Sequence, residues 1–168
     1  MKKVVRPILW VAFVIYCLIL IYILFLSRGS LAHYSYDRYF RQFTNFIPFK
    51  TIVEYIQRYR NGFQILSVTN LLGNLMLFLP MGMALPCLFK KLNRFWKVVL
   101  CVLAVVVLVE ITQGLLRVGS IDIDDVIFNV SGAMIGYAII KIPTINKLLQ
   151  RINLVYTSEK TEVKENDT

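Results

Sequence analysis

The chain alternates long apolar runs with short clusters of charge. Stretches with at most one Asp, Glu, Lys or Arg cover residues 8–26, 65–89, 98–116 and 126–142. A helix needs roughly 20 mostly apolar residues to cross about 30 Å of hydrocarbon, so each stretch predicts a transmembrane helix. The first is longer than the apolar core of a signal peptide, and no A-x-A-like cleavage site follows it, so a retained helix is expected. The second carries Asn70, Asn74 and Pro80, and the proline predicts a kink. The third contains Glu110. Its apolar residues, each worth roughly −0.3 to −0.6 kcal/mol, together outweigh one acid at roughly +3. The fourth is rich in small residues, and the four-residue spacing of Gly132 and Gly136 lets another helix approach closely.

Between the first two spans, residues 50–60 read KTIVEYIQRYR. Ile52, Tyr55, Ile56 and Tyr59 share one helical face, with Glu54 and Arg58 spaced for an ion pair on the other. An amphipathic helix lying on the membrane surface is predicted. Before it, Tyr34, Tyr36, Tyr39, Phe40 and Phe43 alternate with Arg38 and Arg41, the composition of an interfacial aromatic belt. The reading is all-α: a polytopic bundle of about four transmembrane helices plus an extracellular amphipathic helix. Residues 1–142 form the membrane domain, and 143–168 form a cytoplasmic tail expected to be disordered at its end.

Composition narrows the class. Of 168 residues, 57% are hydrophobic and 17% charged, with a mean hydropathy of +0.62. A soluble domain of this size needs far more polar surface. The net charge of +9 sits between apolar runs and not along a soluble face, so nucleic acid is not an expected partner. The partner is the lipid bilayer, and oligomers remain open. Lys and Arg number three before the first span, four in the 90–97 loop and five from Lys141 onward. The two opposite loops share seven, six of them in the long 27–64 stretch. This bias places both termini in the cytoplasm. Cys17, Cys87 and Cys101 lie in apolar segments at unrelated spacings and His33 is the sole histidine. Neither a disulfide framework, a metal site nor a cofactor is indicated.

With that orientation the polar residues inside the spans share a depth. Glu110 lies about 10 Å inside Arg117 at about 1.5 Å per residue. Glu110, Gln113 and Arg117 form one stripe. Asn70 and Asn74 form another, and Asp125, Asn129, Gly132 and Gly136 a third. The stripes predict an outward polar pocket ringed by Glu110, Asp122, Asp124 and Asp125. Asn and Gln can also simply hold helices together, and Asp125 alone suits a helix N-cap. Carboxylates and amides suit a hard cation or an ammonium group. Paired carboxylates also suit acid–base chemistry on a lipid-linked headgroup, although no nucleophile accompanies them. A proton-coupled transport cycle is a third option.

The segments NLLGNLMLFLPMG (70–82), EITQ (110–113) and DIDDVIFNVSGAMIG (122–136) together resemble the VanZ-like proteins. The upstream NFIPFKTI (45–52) is similar to their extracellular segment. The resemblance implies a multi-pass protein of the bacterial cytoplasmic membrane. It also implies a link to low-level resistance to teicoplanin, a glycopeptide antibiotic with a lipid tail. The family pattern places a basic residue in the turn before the aspartates. Here that turn is Val118-Gly119-Ser120, with Arg117 slightly earlier. Together these observations predict a non-enzymatic protein whose acidic pocket binds a cell-envelope lipid, a glycopeptide or a cation. An enzyme acting on lipid-linked precursors, and a small assembly partner using the Gly132/Gly136 face, are the alternatives.

Overall fold

A computed structural model describes residues 2–60, 66–152 and 154, without the side chains of residues 2–4, 55, 58–60 and 66–71. Its elements run α1 (Lys2–Ile21), a π-helical turn (Tyr22–Leu26), α2 (Tyr36–Gln42), β1 (Thr44–Asn45), α3 (Lys50–Arg60), α4 (Leu66–Leu88), α5 (Phe95–Leu116), β2 (Ile121–Asp122), α6 (Ile123–Lys141) and α7 (Pro143–Arg151). Among the described residues the protein is all-α apart from one two-residue strand pair and an isolated bridge between Ser30 and Val118. Among the described residues, three helices are long and apolar enough to cross a membrane: Val5–Leu26, Phe95–Leu116 and Ile123–Lys141. The 23-residue α4 is the fourth long helix, described as apolar over Leu72–Leu88.

Helices α4, α5 and α6 form the tightly packed part, with α4 and α6 making the most extensive contact and α1 leaning on α4. The α4–α6 contact depends on glycines. A side chain at Gly132 would run into the backbone of Leu75, one at Gly136 into Leu79, and one at Gly82 into Ala133. The G-x-x-x-G face therefore packs against α4 of the same chain, and an assembly partner would need another surface. Along α5, Val98, Val102 and Val106 are buried at four-residue spacing. They join Phe78, Met81 and Leu85 of α4, Ala133 of α6, and Leu20 and Leu24 of the first span in one apolar core.

Several boundaries differ from the sequence reading, each for a local reason. The first span ends in a π turn, where Ser27 N–H donates to Tyr22 C=O at 2.9 Å. The fourth starts three residues before the expected 126, because Asp122 caps it: its carboxylate accepts the Asp124 N–H at 2.9 Å. The cap expected of Asp125 thus belongs to Asp122. Helix α4 continues through Pro80 and Pro86, and Tyr16 donates to Leu77 C=O at 2.6 Å in the turn before Pro80. The expected tail opens with α7, which has Pro143 in its first turn. Residues 157–168, where disorder was expected, lie outside the described residues. In α3, Glu54 pairs with Lys50 at 3.9 Å; the Arg58 side chain expected there lies outside the described part.

Candidate functional site

Two left-handed residues make the tight turn from α5 into α6. Arg117 caps α5 at φ 51°, ψ 50°, and Gly119 follows at φ 73°. The long 27–50 loop is laid across this turn. Thr44 and Asn45 pair in parallel with Ile121 and Asp122, Leu31 N–H donates to Arg117 C=O at 2.8 Å, and Ile121 N–H donates to Phe43 C=O at 2.9 Å. Tyr39, on the α2 turn of this loop, is fully buried and donates its hydroxyl to Gly119 C=O at 3.2 Å. Burial, together with the nearby Glu110 carboxylate, raises its pKa above the ordinary tyrosine value.

The acidic residues divide into two groups under this cover. Asp124, with no exposed surface, accepts the backbone N–H of Phe49 at 2.6 Å and of Thr51 at 2.9 Å. Those donors sit at the start of α3, so a carboxylate on α6 caps a helix that is remote in sequence. Phe49 is held there at φ 64°, a conformation that a bulky residue adopts only when its surroundings fix it. Asp122 accepts from Asn45 Nδ2 at 3.0 Å and Thr51 Oγ1 at 2.5 Å, besides capping α6. Both aspartates are thus committed to fastening the loop and α3.

Glu110 and Asp125 form the second group. Asp125 accepts from Asn74 Nδ2 at 2.5 Å and lies 3.8 Å from Arg28 Nη1. Arg28 reaches it by crossing Gly119, where a side chain would meet its Cδ at 3.0 Å. Glu110 is 6% exposed and accepts one hydrogen bond among the described residues, from Asp122 N–H at 3.2 Å. Glu110, Asp122, Asp125 and Arg28 lie within electrostatic reach of one another.

The remaining predicted residues are distributed as follows. Gln113 donates Nε2 to Leu24 C=O at 2.9 Å, in the π turn. Its Oε1 and the Oδ1 of Asn129 are buried with no hydrogen-bond partner among the described residues. Such acceptors mark places inside the bundle where a water or ligand donor fits. Asn70 lies on α4 with its side chain outside the described part. Arg117 does not join the carboxylates: its Nη1 donates to Tyr34 C=O, and its guanidinium lies 4.2 Å from the Tyr36 ring centre. Among the described residues, the cation paired with Asp125 is Arg28. The sequence reading missed it because an arginine at the end of an apolar span is ordinarily an interfacial anchor. Asn45 and Thr51 were also missed as partners, although both fall inside the 45–52 segment.

Two spaces meet at Ile121 and Asp122. One is a polar pocket of about 310 Å³ bordered by Gln42, Asn45, Lys50, Thr51, Glu54 and Ser120. The other is a groove of about 330 Å³ beside α5 and α6, walled by Phe40, Phe46, Val107, Ile111, Leu115 and Val126, with Glu110 and Asp122 as its acidic groups. Ile111 and Leu115 are exposed, so the groove opens sideways, toward the surroundings of the bundle. No group of three or more His, Cys, Asp or Glu among the described residues has metal-binding geometry.

A family model described as VanZ/LLP1 matches residues 13–145, which takes in both groups of carboxylates, the loop and the α4–α6 contact. No curated protein and no solved structure matches the chain.

Proposed function

Because the chain belongs to the VanZ/LLP1 family, we propose that it lowers susceptibility to lipid-tailed glycopeptides by binding an amphiphilic cell-envelope ligand at its carboxylate end. In this reading that end faces outward from the bacterial cytoplasmic membrane, both termini are cytoplasmic, and α3 lies on the outer leaflet. Glu110 carries the argument. A carboxyl group that is buried in an apolar groove and receives a single hydrogen bond is costly to maintain for stability alone. Asp122 and Asp124 are occupied by backbone and side-chain donors, whereas Glu110 retains acceptor capacity toward the groove. A ligand with an alkyl chain for the walls and an ammonium or hydroxyl group for Glu110 suits this lining. The polar pocket beyond Asp122 offers hydrogen-bonding groups to the rest of a headgroup.

The acid–base enzyme reading retains only Glu110 and Asp125 as a pair, and Asp125 is already held by Asn74 and Arg28. No observation favours it over ligand binding. The test is susceptibility of a sensitive Gram-positive host expressing the protein, with teicoplanin compared against vancomycin, which lacks the lipid tail. Wild type should protect against teicoplanin more than vancomycin. Ile111→Trp, which fills the groove from its exposed wall, should abolish that difference at an equal membrane level. Equal susceptibility with and without the wild-type protein would refute the reading.

A further inference from the structure

At the opposite end of the bundle, a second space of about 290 Å³ lies between α1, α4, α6 and α7. It is lined by Leu9, Phe13, Met83, Cys87, Ile140 and Leu149, among other apolar residues. Among the described residues of the lining, the only oxygen-bearing side chain is that of Tyr16, and its hydroxyl donates to Leu77 C=O. A water there would lack the two to four polar partners that hold buried water, so the space suits hydrocarbon. Its volume is at the lower end of the roughly 300–1,000 Å³ typical of ligand sites. Ala12 and Pro80 both line it and are both exposed, so it has an open edge between α1 and α4 on the lipid-facing side.

Among the described residues, the charges at this end are of one sign. Arg6 stands one turn beyond Leu9 on the stripe that continues through Phe13 and Tyr16, and its Nη2 donates to Leu88 C=O at 3.4 Å. Helix α7 lends Ile145 and Leu149 to the lining and carries Lys147 and Arg151 on its polar face. Every described Asp and Glu lies elsewhere: on α2, on α3, or at the carboxylate end. An apolar slot open to lipid beneath a basic rim is complementary to one kind of molecule, a lipid with a negatively charged headgroup. A zwitterionic lipid would fill the slot equally well but gain little from the rim.

We propose that this space is a binding site for an anionic phospholipid. One acyl chain enters past Ala12 and Pro80, and the phosphate rests against Arg6 and the Lys147/Arg151 edge of α7. The site is separate from the carboxylate end and stands whether or not the chain acts on glycopeptides. Helix α7 then acts as the outer wall of the site, which accounts for apolar residues continuing past the last span as far as Leu154, itself part of the lining.

The test is native mass spectrometry of the purified full-length protein, offered phosphatidylglycerol and phosphatidylethanolamine with matched acyl chains. One phosphatidylglycerol should be retained preferentially. Arg6→Gln should lower that retention about five-fold, the effect expected of one basic residue near a lipid phosphate. Ala12→Trp blocks the open edge from an exposed position, so it leaves the core intact and should remove the retained lipid. Thermal unfolding in detergent verifies that each variant is folded. Equal retention of the two lipids overturns the proposal, as does unchanged retention in folded Ala12→Trp.

Discussion

The two ends of the bundle are held by different physics. At the carboxylate end, buried charge is stabilised by named donors: Asp124 by two backbone N–H groups, Asp122 by Asn45, Thr51 and its own helix, and Asp125 by Asn74 and Arg28. Hydrogen bonds of this kind are directional, so they determine where the 27–50 loop and α3 sit. At the other end the contacts are apolar and nondirectional, and they leave an open space between α1, α4 and α7. Specificity of structure is concentrated where polar groups are buried, and adaptability where they are absent. Between the ends, the α4–α6 glycine contact keeps both in register.

That middle contact is the most sensitive point. Gly136→Leu would drive a side chain into the backbone of Leu79 and Met83, a collision that no rotamer relieves. A loss of about 3 kcal/mol or more is expected, with little folded protein recovered, as thermal unfolding in detergent would show. Leu149→Ala, which enlarges the open space at the other end, should cost less than half as much. Equal losses would show that the two regions are equally tightly determined.

Next in size is the fastening of α3. Asp124→Ala removes the carboxylate acceptor of the part-buried Phe49 and Thr51 N–H groups, a loss of roughly 1.5–3 kcal/mol for each hydrogen bond to a charged group. Its readout is thiol labelling at Val53→Cys on α3, which should accelerate in the Asp124→Ala background while α4–α6 remain folded. A smaller contrast separates the two arginines. Arg28→Gln removes the charge beside Asp125, and the side chain is only partly exposed. Its cost should fall between the roughly 0–1 kcal/mol of a surface pair and the roughly 3–5 of a buried one. Arg117→Gln should cost less, since it gives up only a carbonyl and a ring contact at the rim.

The smallest effect concerns pH. The raised pKa of Tyr39 means that the folded protein favours the neutral phenol more than the unfolded chain does. That contribution is complete below the ordinary tyrosine value of about 10 and is lost as pH rises beyond it. Thiol labelling at Val53→Cys should therefore accelerate as pH rises above about 10, after correction for thiolate reactivity. In Tyr39→Phe the step should be absent.

Much of the membrane architecture was legible because apolar runs of roughly 20 residues have few alternative readings. Residues 50–60 were readable as a helix because Ile52 and Ile56 recur on one face. The α7 helix had the same kind of signal, with Ile145, Leu148, Leu149 and Ile152 at helical spacing behind Pro143, but it was absorbed into the expected tail. The gathering of Glu110, Asp122 and Asp125 followed from depth and spacing alone. What each carboxylate touches did not, because the donors come from a loop some 70 residues away, and one sequence does not show which loop residue meets which aspartate. For the same reason Arg117 stood in for Arg28: nearness along the chain favoured the first, whereas folding across Gly119 brings in the second.

The division of labour among the carboxylates is tested most directly by measuring teicoplanin susceptibility and thermal unfolding together for Glu110→Gln and Asp124→Asn. Glu110→Gln is expected to unfold within about 1 kcal/mol of wild type, since a neutral amide replaces a weakly satisfied buried acid, and yet to lose protection against teicoplanin. Asp124→Asn should lose stability and protection together. A Glu110→Gln protein that is folded, present at wild-type levels and fully protective would contradict the account, leaving Glu110 as one more scaffold residue.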